Sequence, residues 1–506
     1  MGALAATKRL LAGVSMVLSF LTAFFSPKKH LHNARFAALH ELISLLGSSL
    51  AGSETSLLLG RSHFGQVLRV RPTASRRELG NLLVVAPTRG GKGLLAVSQL
   101  LTWPHSVIVN DIKGDLFLQT AGFRSTLGKV FVIDPTGMGH RYDPLHSRET
   151  EDELFSSATH LLYKPDEGEG AIFTQRATVM LTQMLLCARK EGQAPLPSVG
   201  QMIRSGLLAT AAKLDTVSGA LSTRFLDIEF TEADLTDRFL LSCWGTLSAW
   251  MQPLLNETVI RSLAATDFEA SDLMRSEKPI TVYLRWRERD LLALTPLVRL
   301  LWGSLIDELL TTYDQRQGQG CHPVLLLADE AGRTPIPSLA DHATTVVGRR
   351  VYLWVAIQDL SQLDAAYGKT RAHVLRNNME SQLYYRPTDQ QTADYLEHCL
   401  GKKSDFAHSQ TAHHGVQTSL GLSEQGVPLL TSQDIKQLKD EDIIGFHRRL
   451  PPFQARRLDW RRFPLLVQRQ AIAPPKLFPL PKPLGILPTT IWQTTQKAYI
   501  DPDRRN

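Results

Sequence analysis

The chain has 506 residues, 43% hydrophobic and 21% charged, which suits a globular protein of about two to four domains and excludes a disordered chain, a collagen-like repeat and a many-span transporter. Its four cysteines, Cys187, Cys243, Cys321 and Cys399, are too scattered for a disulfide framework or a cysteine zinc site, which points to a reducing compartment. The net charge of +7 divides into +5 for residues 1–35, +7 for 441–506 and −5 for the body between them, so the basic character belongs to the two ends.

Leu10–Pro27 is an uncharged run flanked by Lys8 and Arg9 before it and Lys28 and Lys29 after it. A membrane-crossing helix needs about 20 apolar residues, with a lower limit near ~17, so one tight span fits, and an amphipathic docking helix is the other reading. If the run spans, the cations after it place the body in the cytoplasm. Apolar runs at Leu82–Ala86, Ser106–Asp111, Val130–Asp134, Pro279–Arg285, Val324–Asp329 and Val351–Gln358 read as strands buried on both faces, with helical patterns at Lys92–Leu101 and Leu291–Thr312. That alternation predicts an α/β fold with a doubly wound parallel sheet. Residues 149–266 lack strand patterning and show helical periodicity at Phe173–Arg189, Ser198–Leu214 and Thr231–Leu255, so they read as an inserted all-α domain. Gly401–Gly426 reads as an exposed polar loop, and Ala471–Pro488, with six prolines, as an extended tail.

The strongest chemical motif follows the first strand. Ala86 leads into Pro87, Thr88, Arg89, Gly90, Gly91, Lys92, Gly93 and Leu94, a glycine-bearing turn before a helix. Backbone N–H groups at a helix start favour phosphate, and Lys92 is placed to reach the β- and γ-phosphates of ATP. The pattern departs from the usual P-loop at Ala86, where glycine is standard, and at Gly93, where a hydroxyl normally helps to hold Mg²⁺. A second motif, Asp329–Glu330, ends an apolar strand. There Asp329 is the candidate Mg²⁺ ligand and Glu330 the candidate to polarise an attacking water. Gln358 ends another strand and is a candidate γ-phosphate sensor, while Arg349 and Arg350 just before that strand are candidates for an arginine finger acting on a neighbour's site. The segment Asp111, Ile112, Lys113, Gly114, Asp115, Leu116 belongs at the same sheet edge, with no role that chemistry alone assigns. Three arginine pairs, Arg448–Arg449, Arg456–Arg457 and Arg461–Arg462, with Trp460 and Phe463 between and after them, suit either DNA contact or a solvated face.

Taken together these blocks resemble the type IV secretion coupling proteins, the TraG/TraD-type conjugation ATPases. The resemblance runs from about Leu58 to Pro464 and includes Thr120–Arg124, Val132–Pro135, Tyr142–Leu145, Thr266–Phe268, Gln358–Leu363, Tyr367–Gly368, Pro428–Thr431 and Asp434–Ile435. It implies a RecA-like P-loop ATPase using ATP and Mg²⁺, with a cargo-recruiting helical insertion, a homo-hexameric ring and an inner-membrane anchor. It further implies DNA, a relaxase–DNA complex or protein effectors as cargo, handed to type IV secretion channel components. Family members usually carry two amino-terminal spans, where this sequence offers one candidate. The expected domains are an apolar segment at 1–35, the first nucleotide-binding part at 36–148, the insertion at 149–266, the second nucleotide-binding part at 267–465 and a basic, proline-rich tail at 466–506. A DNA pump unconnected with secretion, or a nucleotide-binding recruitment platform with weak hydrolysis, remains compatible with the residues alone.

Overall fold

The strand-forming runs assemble into a 13-stranded sheet in a computed structural model. The structure describes residues 32–481 except 48–49, 51–53, 75, 163–169, 231–234, 335, 337–338 and 412–418. The apolar run Leu10–Pro27 therefore lies outside the described residues, among which no helix is long and apolar enough to cross a membrane. The described residues form two compact units, one within 37–392 with 437–481, the other within 393–436 with the described part of 1–36.

In chain order the strands are β1 (Leu46–Gly47), β2 (Leu57–Arg61), β3 (Val67–Val70), β4 (Leu82–Val85), β5 (Ser106–Asp111), β6 (Val130–Asp134), β7 (Met138–Gly139) and β8 (Thr281–Arg285). They continue with β9 (Val324–Ala328), β10 (Val351–Ile357), β11 (Ser381–Tyr385), β12 (Lys402–Thr411), β13 (Ser419–Pro428), β14 (Asp442–His447) and β15 (Phe453–Arg456). The large sheet runs β1-β3-β2-β15-β14-β11-β4-β10-β9-β5-β8-β6-β7. From β11 to β6 the neighbours are parallel, whereas β14, β15, β2, β3 and β1 on one side and β7 on the other extend the sheet antiparallel. The sheet is thus mixed rather than wholly parallel. The parallel centre is the part that the sequence makes apolar throughout: every residue of β4, β9 and β10 is buried, as strands covered on both faces require.

Between β7 and β8 the described elements are helices, including Glu151–Leu162, Ala171–Lys190, Pro195–Ser205, Leu207–Val217, Gly219–Leu226 and Arg238–Met251. The predicted helix Ser198–Leu214 is two helices, because Gly206 takes φ 88°, ψ 169° and breaks the ladder. In the smaller unit, the predicted loop Gly401–Gly426 is instead a hairpin, β12 pairing antiparallel with β13 from Lys402↔Pro428 to Thr411↔Ser419. Its backbone bonding is blind to side-chain polarity, which is why polar composition misled.

Beyond β15 the chain forms an arm. The helix Pro464–Gln470 packs on the helix Asp115–Leu127. Arg469 stacks over Phe123 at 4.6 Å and donates to the Leu101 carbonyl at 2.6 Å. The chain then crosses the Asp115–Leu127 helix at Gly122 and meets β7, where the Gly139 N–H donates to the Phe478 carbonyl at 2.9 Å and the Leu480 N–H to the Gly137 carbonyl at 2.8 Å.

At Gly122 a Cβ would stand 1.8 Å from the Ile472 carbonyl oxygen, a backbone atom. Alanine normally stabilises a helix interior over glycine by up to about 1 kcal/mol. Gly122→Ala should instead destabilise by about 1–3 kcal/mol through overpacking. Gly245→Ala, where nothing lies within 4 Å, should stabilise. Denaturant melts of the two variants check both signs.

Candidate nucleotide site

Parallel register places four strand ends at one sheet edge. Ile357 pairs with Val85, Val355 with Ala328, and Asn110 with Ala328. The turns after β4, β5, β9 and β10 consequently converge, as expected at the carboxyl edge of an open α/β sheet. The turn after β4 is short: the Ala86 N–H donates to the Ile357 carbonyl at 3.0 Å and the Gly90 N–H closes on the Pro87 carbonyl at 2.8 Å. Gly91, at φ 109°, then starts the helix Lys92–Leu100 with no side chain capping it. A helix start of this kind offers N–H groups and a positive dipole end to an anion.

Glu330, held at φ 59°, faces the same turn. Lys92 Nζ lies 3.0 Å from Glu330 Oε1 and 3.7 Å from Asp329 Oδ1, and Lys113 Nζ lies 3.8 Å from Glu330 Oε1. Arg333 Nη1 stands 3.5 Å from the other Glu330 oxygen. The Lys92 and Glu330 side chains are only 12% and 8% exposed, so solvent screens this pair far less than a surface pair. Burial opposes ionisation of Glu330, but Lys92, Lys113 and Arg333 hold its carboxyl below the ordinary value. Burial pushes the Asp329 carboxyl up, with Glu330 adding to the rise and Lys92 opposing it. Two adjacent acids are thereby driven apart in proton affinity.

The surroundings brace this cluster. Buried Asn110 donates to the Asp329 carbonyl at 3.1 Å and to Thr334 Oγ1 at 2.7 Å, and accepts from Trp286 Nε1 at 3.1 Å. Asp111 accepts the Phe117 N–H at 2.7 Å and the Leu116 N–H at 3.4 Å, tying the start of the next helix to its strand. Thr88 Oγ1 lies 3.3 Å from Gln358 Oε1, and the Gln358 N–H donates to Gln362 Oε1 at 3.0 Å.

A cavity of about 450 Å³ opens here, lined by Arg89, Gly91, Lys92, Gly93 and Leu94 of the turn and helix and by Asp329 and Glu330. Asp111, Lys113 and Asp115 also line it, which gives that segment a location. Pro87, Thr88, Gly90 and Gln358 stand beside it in the same turns. Arg349 and Arg350 do not reach it. They precede β10, a strand of seven residues, and so lie roughly 20 Å away at the opposite sheet edge. There Arg349 pairs with Asp314 at 2.8 Å and Arg350 donates to the Cys321 carbonyl at 2.6 Å. The structure also brings in side chains that sequence reasoning had not placed: Asn110, Arg457 and Arg461. The arginine pairs near the carboxyl end do not share one role, since Arg448 bonds Glu380 at 2.8 Å, Arg461 bonds Asp459 and Arg457 lines the cavity. Trp460 and Phe463 pack against the core rather than standing free to stack.

Burial raises the Asp111 carboxyl to about 6 from 3.8, against the pull of the Phe117 and Leu116 amides. Because the native value is the higher one, the stability linked to this group is complete below the unfolded value and is lost as pH rises through about 6. Relative to Asp111→Asn, the wild type should therefore lose about 2–3 kcal/mol of unfolding free energy between roughly pH 4.5 and 7.5. Denaturant titrations of both proteins across that range measure it, and a flat difference contradicts it.

Residues 62–474 match the family described as type IV secretory system conjugative DNA transfer. The chain is 27% identical over 432 residues to the protein VirD4 of Rhizobium radiobacter, covering 79% of this chain and 60% of that protein. It is 27% identical over 398 residues to the conjugal transfer protein TraG of Escherichia coli, covering 70% of this chain and 61% of that one. The chain thus spans about three fifths of the length of these two relatives. Its fold is similar to the bacterial conjugative coupling protein TrwBΔN70 in complex with sulphate, with a TM-score of 0.64 at 16% identity over 85% of this chain and 95% of that chain. It is similar also to the plasmid coupling protein TrwB in complex with the ATP analogue ADPNP, with a TM-score of 0.63 at 18% identity and the same coverage. A family match over most of the length, on a fold shared with solved coupling proteins, shows that the chain belongs to the type IV secretory conjugative DNA transfer family.

Proposed function

We propose that the chain is an ATP-hydrolysing coupling protein that recruits DNA, nucleoprotein or protein cargo and drives it to a type IV secretion channel. The observation that carries this reading is the convergence of Lys92 with Asp329 and Glu330, 3.7 Å and 3.0 Å away, beside the Gly90–Gly91 turn. Thr88, Gly90, Gly91 and Lys92 hold the phosphates. Asp329 fits Mg²⁺: its Oδ1 is buried and has no hydrogen-bond partner among the described residues, and a carboxylate oxygen so placed suits a hard divalent cation. Mg²⁺ bound with the triphosphate neutralises charge on its oxygens. Glu330, kept ionised by its cationic neighbours, orients the water, and Gln358 registers the phosphate state through Thr88. A phosphate that takes Lys92 releases Glu330 from its closest cation, so substrate loading and readiness of the water-orienting group are linked.

The assembly belongs to the same proposal. It comprises a homo-hexameric ring in which Arg349 or Arg350 completes a neighbour's site, and a helical insertion at 149–266 between two nucleotide-binding parts that receives cargo. Attachment to the inner membrane through residues 10–27 is supported by their apolar run and flanking lysines.

Glu330→Gln should retain nucleotide affinity and lower ATP turnover by about 10²–10⁴-fold, the range for a lost proton acceptor. Lys92→Ala should lose both binding and turnover. Phosphate release and equilibrium nucleotide titration, with and without DNA, distinguish the two. Full turnover by Lys92→Ala refutes the proposal.

A further inference from the structure

Arg457 follows β15 directly, and its backbone N–H is fixed to the Glu441 carbonyl at 2.6 Å. Its side chain lies over the turn that precedes the Lys92–Leu100 helix. Nη1 donates to the Gly90 carbonyl at 3.3 Å, and a Cβ on Gly91 would stand 2.3 Å from Arg457 Cδ. Glycine at 91 suits the positive φ of 109°, and its bare Cα leaves the space through which the arginine arm passes. Two other arginines of the region have acidic partners: Arg448 has Glu380 at 2.8 Å, and Arg461 holds Asp459 through two bonds of 2.8 Å and 2.7 Å. Arg457 has no ion-pair partner among the described residues. The nearby Asp459 carboxyl is lowered first by its bond from Arg461 and only lastly by the charge of Arg457.

A guanidinium carries five N–H donors in a rigid fork. One is spent on the Gly90 carbonyl, and the group lines the same cavity as Lys92 and Asp329. A cation without a counter-charge, set against an uncapped helix start, is matched by an anion with several acceptor oxygens. We propose that Arg457 is a polyphosphate-binding residue, delivered to the nucleotide site by the carboxyl-terminal segment of the same chain. This rests on the nucleotide reading above and extends it: the ligand class is a nucleoside di- or triphosphate recognised through its phosphates, and its binding joins the turn after β4 to the arm that follows β15. That arm is clamped onto the two helices bordering the cavity, by Arg469 at Leu101 and over Phe123, so the contact couples phosphate occupancy to the arm.

The test is equilibrium titration of the full chain with a fluorescent ADP, competed with ATP and with adenosine. The variants are Arg457→Ala, Arg457→Lys, Arg457→Gln, Lys92→Ala and, as an arginine outside the cavity, Arg448→Ala. Loss of a charge-assisted contact weakens ADP and ATP binding by about 10–100-fold in Arg457→Ala and leaves adenosine competition unchanged. Arg457→Lys recovers part of the loss, since charge remains and the fork is gone. Arg457→Gln separates the charge from the pinning of the turn. An amide can still donate to the Gly90 carbonyl, so wild-type affinity in Gln shows that Arg457 only braces the turn and overturns the inference. Wild-type affinity in Arg457→Ala, or a loss no larger than that of Arg448→Ala, also overturns it. If the wild type binds and Lys92→Ala does not, such a result removes the Arg457 assignment alone. If the wild type binds neither nucleotide, the nucleotide reading itself falls and this inference falls with it.

Discussion

The contact between Lys92 and Glu330 joins residues 238 positions apart in the chain, and it exists only because β4, β10 and β9 end level with one another. Parallel pairing sets that level. A one-residue slip of β9 against β10 would swap the faces on which Leu325, Leu326 and Leu327 pack and shift Asp329 and Glu330 away from the turn. The apolar content of these strands therefore specifies the geometry of a polar site. Buried Asn110 adds a second lock, bonding the Asp329 carbonyl and Thr334 from the neighbouring strand. Since buried polar groups are costly unless bonded, the arrangement resists other registers.

Electrostatics within the cluster follow from unequal surroundings rather than from residue type. Asp329 is pushed toward its neutral form chiefly by burial, while Glu330, the next residue, stays anionic because three cations face it. The left-handed backbone at Glu330 aims the two side chains into these different environments. Adjacent carboxyls thus become suited to different tasks, one as a latent ligand for a cation and the other as a standing charge.

Much of this was legible in the sequence where the physics is local or repetitive. The strands covered on both faces announce themselves as unbroken apolar runs, and the strands β4, β9 and β10 lie within a residue of the expected limits. The turn around Gly90 and Gly91 and the acids at 329 and 330 could be assigned to one edge by the rule for strand ends. Legibility failed where tertiary placement decides. β12 and β13 are polar strands held by backbone bonds, and β11 and β14 mix polar and apolar residues without a clean run. Arg457 reads as one of six similar arginines until the fold sets it against Gly91, and Asn110 reads as an ordinary residue inside a strand until Trp286 and Thr334 surround its amide. The arginines at 349 and 350, read as acting on a neighbour's site, lie at the far end of the strand that leads to Gln358.

The crossing of the arm over Gly122 and its pairing with β7 have a further consequence for the free rim of the sheet. β7 is the last strand on its side, and an open rim is a template on which a second molecule can add strands and begin to aggregate. Phe478 and Leu480 occupy that rim with the chain's own backbone. Pro479 and Pro481, flanking Leu480, present no N–H for a newcomer to bond, so this stretch works as a blunt selvedge that keeps the broad sheet from templating its own precipitation.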